Sequence, residues 1–375
     1  MLSYSTQLIE DDDIEEVIKV LKSNFLAQGP KVAEFEADLC NYTGAKYAVA
    51  FNSATSALQG AYSVCDIEEG DEIITSPISF VATSNMFVTL GAKPVWCDVK
   101  LDGNINEREI EKLITNKTKA IVPIDFAGKP VEIETIKKIA KKHNLLIIQD
   151  ASHSLGSSVL GKKVGSFADM TIFSFHAIKP ITTSEGGAVL TDDKHFSDSL
   201  RLFRSHGVVK QKLWYSDMKS MGYNLRMTEV AAALGSSQIK KLDRFIETRN
   251  KIASYFDERF EDENLFLIQE LEHNTISSRH LYPIILNPEL FHPKEEIFAE
   301  LQARGLGVQV HYKPIYQNSF YKEKSGEYSL HVADDFYRSE ISIPCNQTMS
   351  MEDAKYVADT LIEVINKYSH KGRIV

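Results

Sequence analysis

The first 240 residues alternate short β-rich runs with helix-like stretches, and nothing else in the chain constrains the fold as tightly. The runs are "YAVAF" (47–51), "EIITS" (72–76), "KPVWCDV" (93–99), "AIVPIDF" (120–126), "LLIIQD" (145–150), "TIFSF" (171–175) and "AVLT" (188–191). Between them stand helical patterns such as "TSALQGAYSV", "ISFVATSNMFVTL" and "EIETIKKIAKKH". Continuous apolar strands alternating with helices predict an α/β fold, a mostly parallel seven-stranded sheet sandwiched by helices.

The pattern changes after "TRNKIASYFDERF" (248–260), a long amphipathic helix. Strands "LYPIIL" (281–286) and "GVQVHY" (307–312) flank the helix "KEEIFAELQARG", and a last helix covers roughly 351–368. At 375 residues the chain exceeds the size at which one core stops growing. The expected division is a large α/β domain over residues 1–240, with N-terminal helices at 10–23 and 30–42, and a smaller C-terminal α+β domain over 241–375.

Lys and Arg total 42 against 52 Asp and Glu, a net charge of −10, which argues against nucleic acid as a partner. Cys40, Cys65, Cys97 and Cys345 have no paired spacing, so neither a disulfide framework nor a zinc site is expected. The opening "MLSYSTQLIEDDDIEEV" has no secretory pattern, and no window of ~18 uninterrupted apolar residues exists. A cytoplasmic protein with no membrane partner is the expectation. No H-x₃-H or H-E-x-x-H spacing occurs, so no metal is expected.

Three features carry chemistry. Asp150 ends an apolar strand in "LLIIQDASHSLG", where ligands of open parallel sheets bind; its plainer reading is a turn or helix cap. "FNSATSAL" runs from a strand end into a helix, and its small residues would let an anion reach the helix N–H groups; an ordinary N-cap would look the same. Lys179 stands alone in "SFHAIKPITTSEGGAV", where Gly186 and Gly187 permit a tight turn. A desolvated lysine is a nucleophile at neutral pH, while an exposed one is only a snorkelling surface residue. Taken together, lysine, carboxylate and phosphate cup suit pyridoxal 5′-phosphate. A competing match, "GSSVLGKK" (156–163), approaches the P-loop pattern but has Lys163 where a hydroxyl must bind Mg²⁺, and a turn-rich hairpin where a helix must follow.

The blocks "QDASHSLGSSVLGKKVGSFADMTIFSFHAIKPITTSEGGAVLT", "SNFLAQGPKVAEFEADLCNYTGAKYAVAFNSATSAL" and "GYNLRMTEVAAALGSSQIKKLD" resemble the DegT-type nucleotide-sugar aminotransferases. These are fold-type I pyridoxal-phosphate transferases, and the resemblance covers essentially the whole chain. It implies that Lys179 is the catalytic, cofactor-bearing lysine and Asp150 the partner of the pyridinium nitrogen. By the same resemblance His153 lies near the phenolic oxygen and Phe80 stacks on the ring. Ser174 and the amides of Ala54 and Thr55 would bind the phosphate, and Asn224 would reach the phosphate of a neighbouring subunit in a homodimer with shared sites. Relatives that act as dehydratases have His at the lysine position, so Lys179 implies transamination.

"LKSNFLAQGPKV", "SHGVVKQ", "QVHYKPIYQ" and "YRSEISIPC" resemble the branch that aminates UDP-2-acetamido-2,6-dideoxy-β-L-arabino-hexos-4-ulose at C4 for pseudaminic acid, with L-glutamate as donor. Tyr4, Asn24, Phe25, Leu26, Ala27, His311, Tyr312 and Lys313 would then line the sugar-nucleotide site, together with Ala54, Ser174 and Asn224. The plainer reading of "QVHYKP" is a strand ending in a proline turn. Alternatives left by the sequence are another nucleotide 4- or 3-keto-sugar aminotransferase and a non-catalytic pyridoxal-phosphate-binding regulator.

Overall fold

The structure, a computed structural model, describes residues 1–371. Its central sheet contains β1 (Tyr47–Phe51), β2 (Glu72–Thr75), β3 (Lys93–Trp96), β4 (Thr118–Val122), β5 (Leu146–Asp150), β6 (Met170–Ser174) and β7 (Gly187–Thr191). The order across the sheet is β1-β7-β6-β5-β4-β2-β3. β7 runs antiparallel to both neighbours, and every other pairing is parallel. All seven expected strands are present; Tyr47–Phe51 keeps its bounds, and the others are trimmed, shifted or extended at their ends. The run "AIVPIDF" stops being a strand at Val122, because Pro123 has no N–H to give the ladder.

Period-two alternation sends side chains to two cores. Val49, Ile172 and Val189 pack on one side with Ala57, Leu58 and Tyr62 of helix Ala54–Ser63. Ala50, Phe173 and Leu190 pack on the other side with Phe35 and Leu39 of helix Pro30–Thr43. Helices Asp11–Leu21 and Pro30–Thr43 both pack against helix Glu229–Ile239.

A second layer is built on a three-stranded antiparallel sheet with the order Phe266–Ile268, Tyr282–Leu286, Glu340–Ile343. Helix Leu242–Phe260 joins the two parts. Its Leu242, Phe245 and Ile246 enter the core that holds Phe35, while Ile252, Phe256 and Phe260 enter the core under the small sheet. The chain start returns to this part, since Leu2–Ser3 pairs in parallel with Leu306–Gly307.

One expected strand is corrected. "GVQVHY" is extended only at Gly307 and at a single bridge from Gln309 to Ser342. At His311 the backbone N–H is taken by the Glu340 carboxylate at 2.6 Å instead of a ladder partner. The segment therefore leaves the sheet and turns over the mouth of a cavity.

Candidate active site

The carboxyl ends of β5 and β6 open on a cavity of about 480 Å³. Tyr4, Ala54, Thr55, Phe80, Asp150, His153, Ser174, Lys179, His311 and Tyr312 all line it. Those ten positions, scattered over 309 residues of sequence from Tyr4 to Tyr312, are brought together by the crossover connections of the sheet. Asn224, Asn24, Phe25, Leu26, Ala27 and Lys313 are not brought there: all six are exposed and lie outside this chain's cavity.

Asp150 is buried and fully engaged. Its Oδ2 accepts from Thr83 Oγ1 at 2.6 Å, and its Oδ1 accepts from the Ser152 hydroxyl at 2.6 Å and the Ser152 N–H at 3.1 Å. Neutral donors thus hold the carboxylate in one orientation and offset part of its desolvation. Thr83 has only one hydroxyl proton, so the contact with Ser79 at 3.0 Å is a bond that Ser79 donates.

Helix Ala54–Ser63 begins at the floor of the cavity. Ser53 caps it by accepting from the Ser56 N–H at 3.1 Å, and the Ala57 N–H bonds Ser53 O. The N–H groups of Ala54 and Thr55 lie in the first turn, where intrahelical partners do not exist. β7 passes so close that a Cβ on Gly187 would fall 2.5 Å from the Ala54 backbone. This corrects the role expected of the glycines. Neither Gly186 nor Gly187 has a positive φ; the left-handed residue of the turn is Ser184, at φ 69°. Gly187 serves close backbone approach.

Lys179 reaches the cavity partly buried, with Nζ 3.3 Å from His280 Nε2. Burial pulls its amine down to about 8, against the attraction of Asp150. His153 and His280 are held well below the ordinary imidazole range by burial first and the Lys179 charge second. Burial and Lys179 likewise bring His311 down to about 3. Three neutral imidazoles therefore surround one amine that is deprotonated in appreciable fraction near neutral pH. His153 and His280 pack ring to ring at 4.5 Å, and Tyr312 Oη lies 3.3 Å from His153 Nε2.

Thr83, Ser152 and His280 escaped the sequence reading. Thr83 had a readable signal, three residues after Phe80 on the same helical stretch. His280 had none: it lies 101 residues from Lys179, two residues before strand Tyr282–Leu286 of the small sheet.

The residues present fit pyridoxal phosphate. Among the described residues nothing bonds His153 Nδ1, which is buried beside the cavity, a polar atom that a ligand oxygen would satisfy. The capped helix start offers two amides to a phosphate. A desolvated amine, a fixed carboxylate and a flat aromatic at Phe80 supply the remaining chemistry.

Comparison with known proteins agrees. Residues 7–362 match the model of the DegT/DnrJ/EryC1/StrS aminotransferase family. The UDP-4-amino-4,6-dideoxy-N-acetyl-beta-L-altrosamine transaminase of Campylobacter jejuni strain 81-176 is 50% identical over 370 residues, 98% of each chain. The transaminase of the same name from Helicobacter pylori is 44% identical over 98% of each chain. Among solved structures, Helicobacter pylori PseC, described as an aminotransferase involved in the biosynthesis of pseudoaminic acid, superposes with a TM-score of 0.96 at 44% identity, covering 98% of this chain and 99% of its own. A putative sugar aminotransferase from Streptococcus pneumoniae, solved in its PLP-form, gives a TM-score of 0.92 at 29% identity over 97% and 98% of the two chains. This chain accordingly belongs to the DegT/DnrJ/EryC1/StrS aminotransferase family and is a pyridoxal-phosphate-dependent sugar aminotransferase.

Proposed function

We propose that the chain transfers an amino group to C4 of UDP-2-acetamido-2,6-dideoxy-β-L-arabino-hexos-4-ulose, with L-glutamate as donor, in pseudaminic acid biosynthesis. The observation that carries this reading is the convergence of Lys179, Asp150 and the start of helix Ala54–Ser63 on one cavity, in a chain 44–50% identical over its length to transaminases of that name.

In this reading Lys179 would hold the cofactor and accept or return the proton at the substrate carbon, a role suited to an amine brought down to about 8. Bound there, the cofactor supplies the electron sink for proton removal at the amino-bearing carbon. Asp150, held by Thr83 and Ser152, faces the ring nitrogen. His153 offers its unpartnered Nδ1 to the phenolic oxygen. The Ala54 and Thr55 amides and the Ser174 hydroxyl receive the phosphate, and Phe80 covers the ring. Tyr4, His311 and Tyr312 form the sugar-nucleotide wall.

The working unit in this reading is a cytoplasmic homodimer. Asn224, residues 24–27 and Lys313 then serve the neighbouring subunit's cavity or the rim of their own. Exposure of Phe25, Leu26, Leu213, Trp214 and Met221 supports burial against a second copy. Among the described residues no helix is long and apolar enough to cross a membrane.

The test is turnover of the L-configured 4-keto UDP-sugar with L-glutamate, following 2-oxoglutarate and the 4-amino sugar. Turnover of only a D-configured or a 3-keto substrate would overturn the assignment of the sugar and leave the family untouched.

A further inference from the structure

The segment that leaves the small sheet at His311 is held by a buried chain of hydrogen bonds. Glu340 is completely buried. Its Oε2 accepts the His311 backbone N–H at 2.6 Å, and its Oε1 accepts the Ser342 hydroxyl at 2.5 Å. The Ser342 oxygen lies 2.8 Å from His311 Nδ1. His311 itself lines the cavity, edge-on to Tyr312 at 4.8 Å and tilted against Tyr4 at 5.3 Å. Among the described residues its Nε2 has no hydrogen-bond partner in the protein.

Proton counting along this chain fixes an atom that coordinates alone leave open. A hydroxyl has one proton. If Ser342 gives it to the Glu340 carboxylate, then Ser342 can only accept from His311, and Nδ1 must carry the imidazole hydrogen. A neutral imidazole has one N–H, so Nε2 is left as a bare acceptor. Burial and Lys179 keep the ring neutral, which makes the tautomer, not the charge, the variable.

We propose that Glu340 and Ser342 are positioning residues that hold His311 as the Nδ1–H tautomer, so that its Nε2 accepts an O–H or N–H from the sugar nucleotide. The substrate half of this proposal rests on the transaminase reading above; the tautomer half does not. The arrangement also explains why a carboxylate is spent in the core of the small sheet. Burial pushes Glu340 up to about 7, while Ser342, the His311 N–H and the charge of Lys294 favour its anion. A protonated Oε1 would donate to Ser342, turn the hydroxyl round, and move the imidazole hydrogen to Nε2.

Glu340→Gln separates this role from mere packing. The amide keeps the shape and one acceptor for the His311 N–H, but its NH₂ now donates to Ser342, which must then donate to Nδ1. The side-chain volume is preserved and the tautomer inverts. The measurement is the ¹⁵N spectrum of histidine-labelled holoenzyme at about pH 8, on the anionic side of Glu340, with the His311 signals assigned through His311→Asn. The native protein is expected to have a protonated Nδ1 and a bare Nε2, and Glu340→Gln the reverse. With the keto-sugar, Glu340→Gln is expected to raise KM roughly ten-fold with kcat little changed, the worth of one lost substrate hydrogen bond. Ser342→Ala, which removes the middle of the chain, should leave a mixture of tautomers and a smaller rise in KM.

A native spectrum with the proton on Nε2, or a Glu340→Gln spectrum unchanged from native, would overturn the proposal. An inverted tautomer with unaltered KM would overturn the substrate contact. If Glu340→Gln does not fold, the native spectrum and Ser342→Ala still decide. Absence of keto-sugar turnover in the native enzyme alongside a bare Nε2 would count against the transaminase reading and not against the tautomer.

Discussion

Thr83 donates its hydroxyl proton to Asp150 Oδ2 across 2.6 Å, tying helix Ala82–Val88 to the end of β5. Asp150 would otherwise sit buried with only Ser152 to orient it, and the Ser79–Thr83–Asp150 chain fixes which oxygen faces the cavity. Thr83→Val keeps the shape and removes the donor. Cofactor affinity, measured by absorbance titration of cofactor-free protein, is expected to fall roughly ten-fold, while Thr83→Ser stays close to native. An unchanged affinity in Thr83→Val would show that Ser152 alone suffices.

Lys179 should titrate far below an ordinary lysine. Burial favours its neutral amine and lowers its proton affinity to about 8, while Asp150 pulls the other way. In cofactor-free protein the rate of labelling Lys179 with an amine-selective reagent should rise with pH to a midpoint near 8. Asp150→Asn removes the attraction and should move that midpoint down. Lys179→Ala should abolish the visible absorbance of bound cofactor. A midpoint near ~10.5 would show that water reaches the amine freely.

Gly187→Ala tests the fit of β7 against the start of helix Ala54–Ser63. The new Cβ meets the Ala54 backbone at 2.5 Å, and neither element can yield cheaply because both are core. A loss of about 1–3 kcal/mol in stability is expected from overpacking. Cofactor affinity should fall with it, since the displaced residue is Ala54 itself. Denaturant unfolding and cofactor titration measure the two effects separately.

Arg249 is completely buried and bonded to carbonyls in place of a carboxylate, giving Nη1 to Arg279 O and Cys345 O at 3.0 Å each. Desolvation brings its guanidinium down to about 10. It joins the segment before strand Tyr282–Leu286 to the segment after strand Glu340–Ile343. Arg249→Leu leaves those carbonyls without donors and should cost about 2–4 kcal/mol on thermal or denaturant unfolding. Arg249→Lys should recover only part of that loss, because one ammonium can serve the two carbonyls that Nη1 bonds but not also the Ser5 hydroxyl that Nη2 approaches.

Much of this was written in local pattern. Apolar runs of five or so residues, each bounded by turn residues, named every strand of the central sheet. Asp150 and Lys179 could be singled out because each breaks its surroundings: a carboxylate closing a strand, and an amine without neighbouring charge. The start of helix Ala54–Ser63 was legible as a strand end running into a helix through small residues, a pattern that an ordinary N-cap shares, and only its company with Asp150 and Lys179 gave it a use. Family blocks then gave Phe80, His153 and Ser174, and the fold puts all of them on one cavity.

Tertiary structure alone decided the rest, for one physical reason: hydrogen bonds and desolvation act across space that sequence distance does not encode. His280 meets Lys179 because the small sheet docks against the large one. Gly187 is glycine because a helix start lies against it, which no turn preference reveals. "GVQVHY" has strand composition, yet a carboxylate from another strand takes the His311 N–H and lifts the segment over the cavity. The sequence determined which residues can do chemistry, since that depends on side-chain type and local period. Which proton each of them holds depends on neighbours dozens to hundreds of residues away, and only the folded chain supplies them.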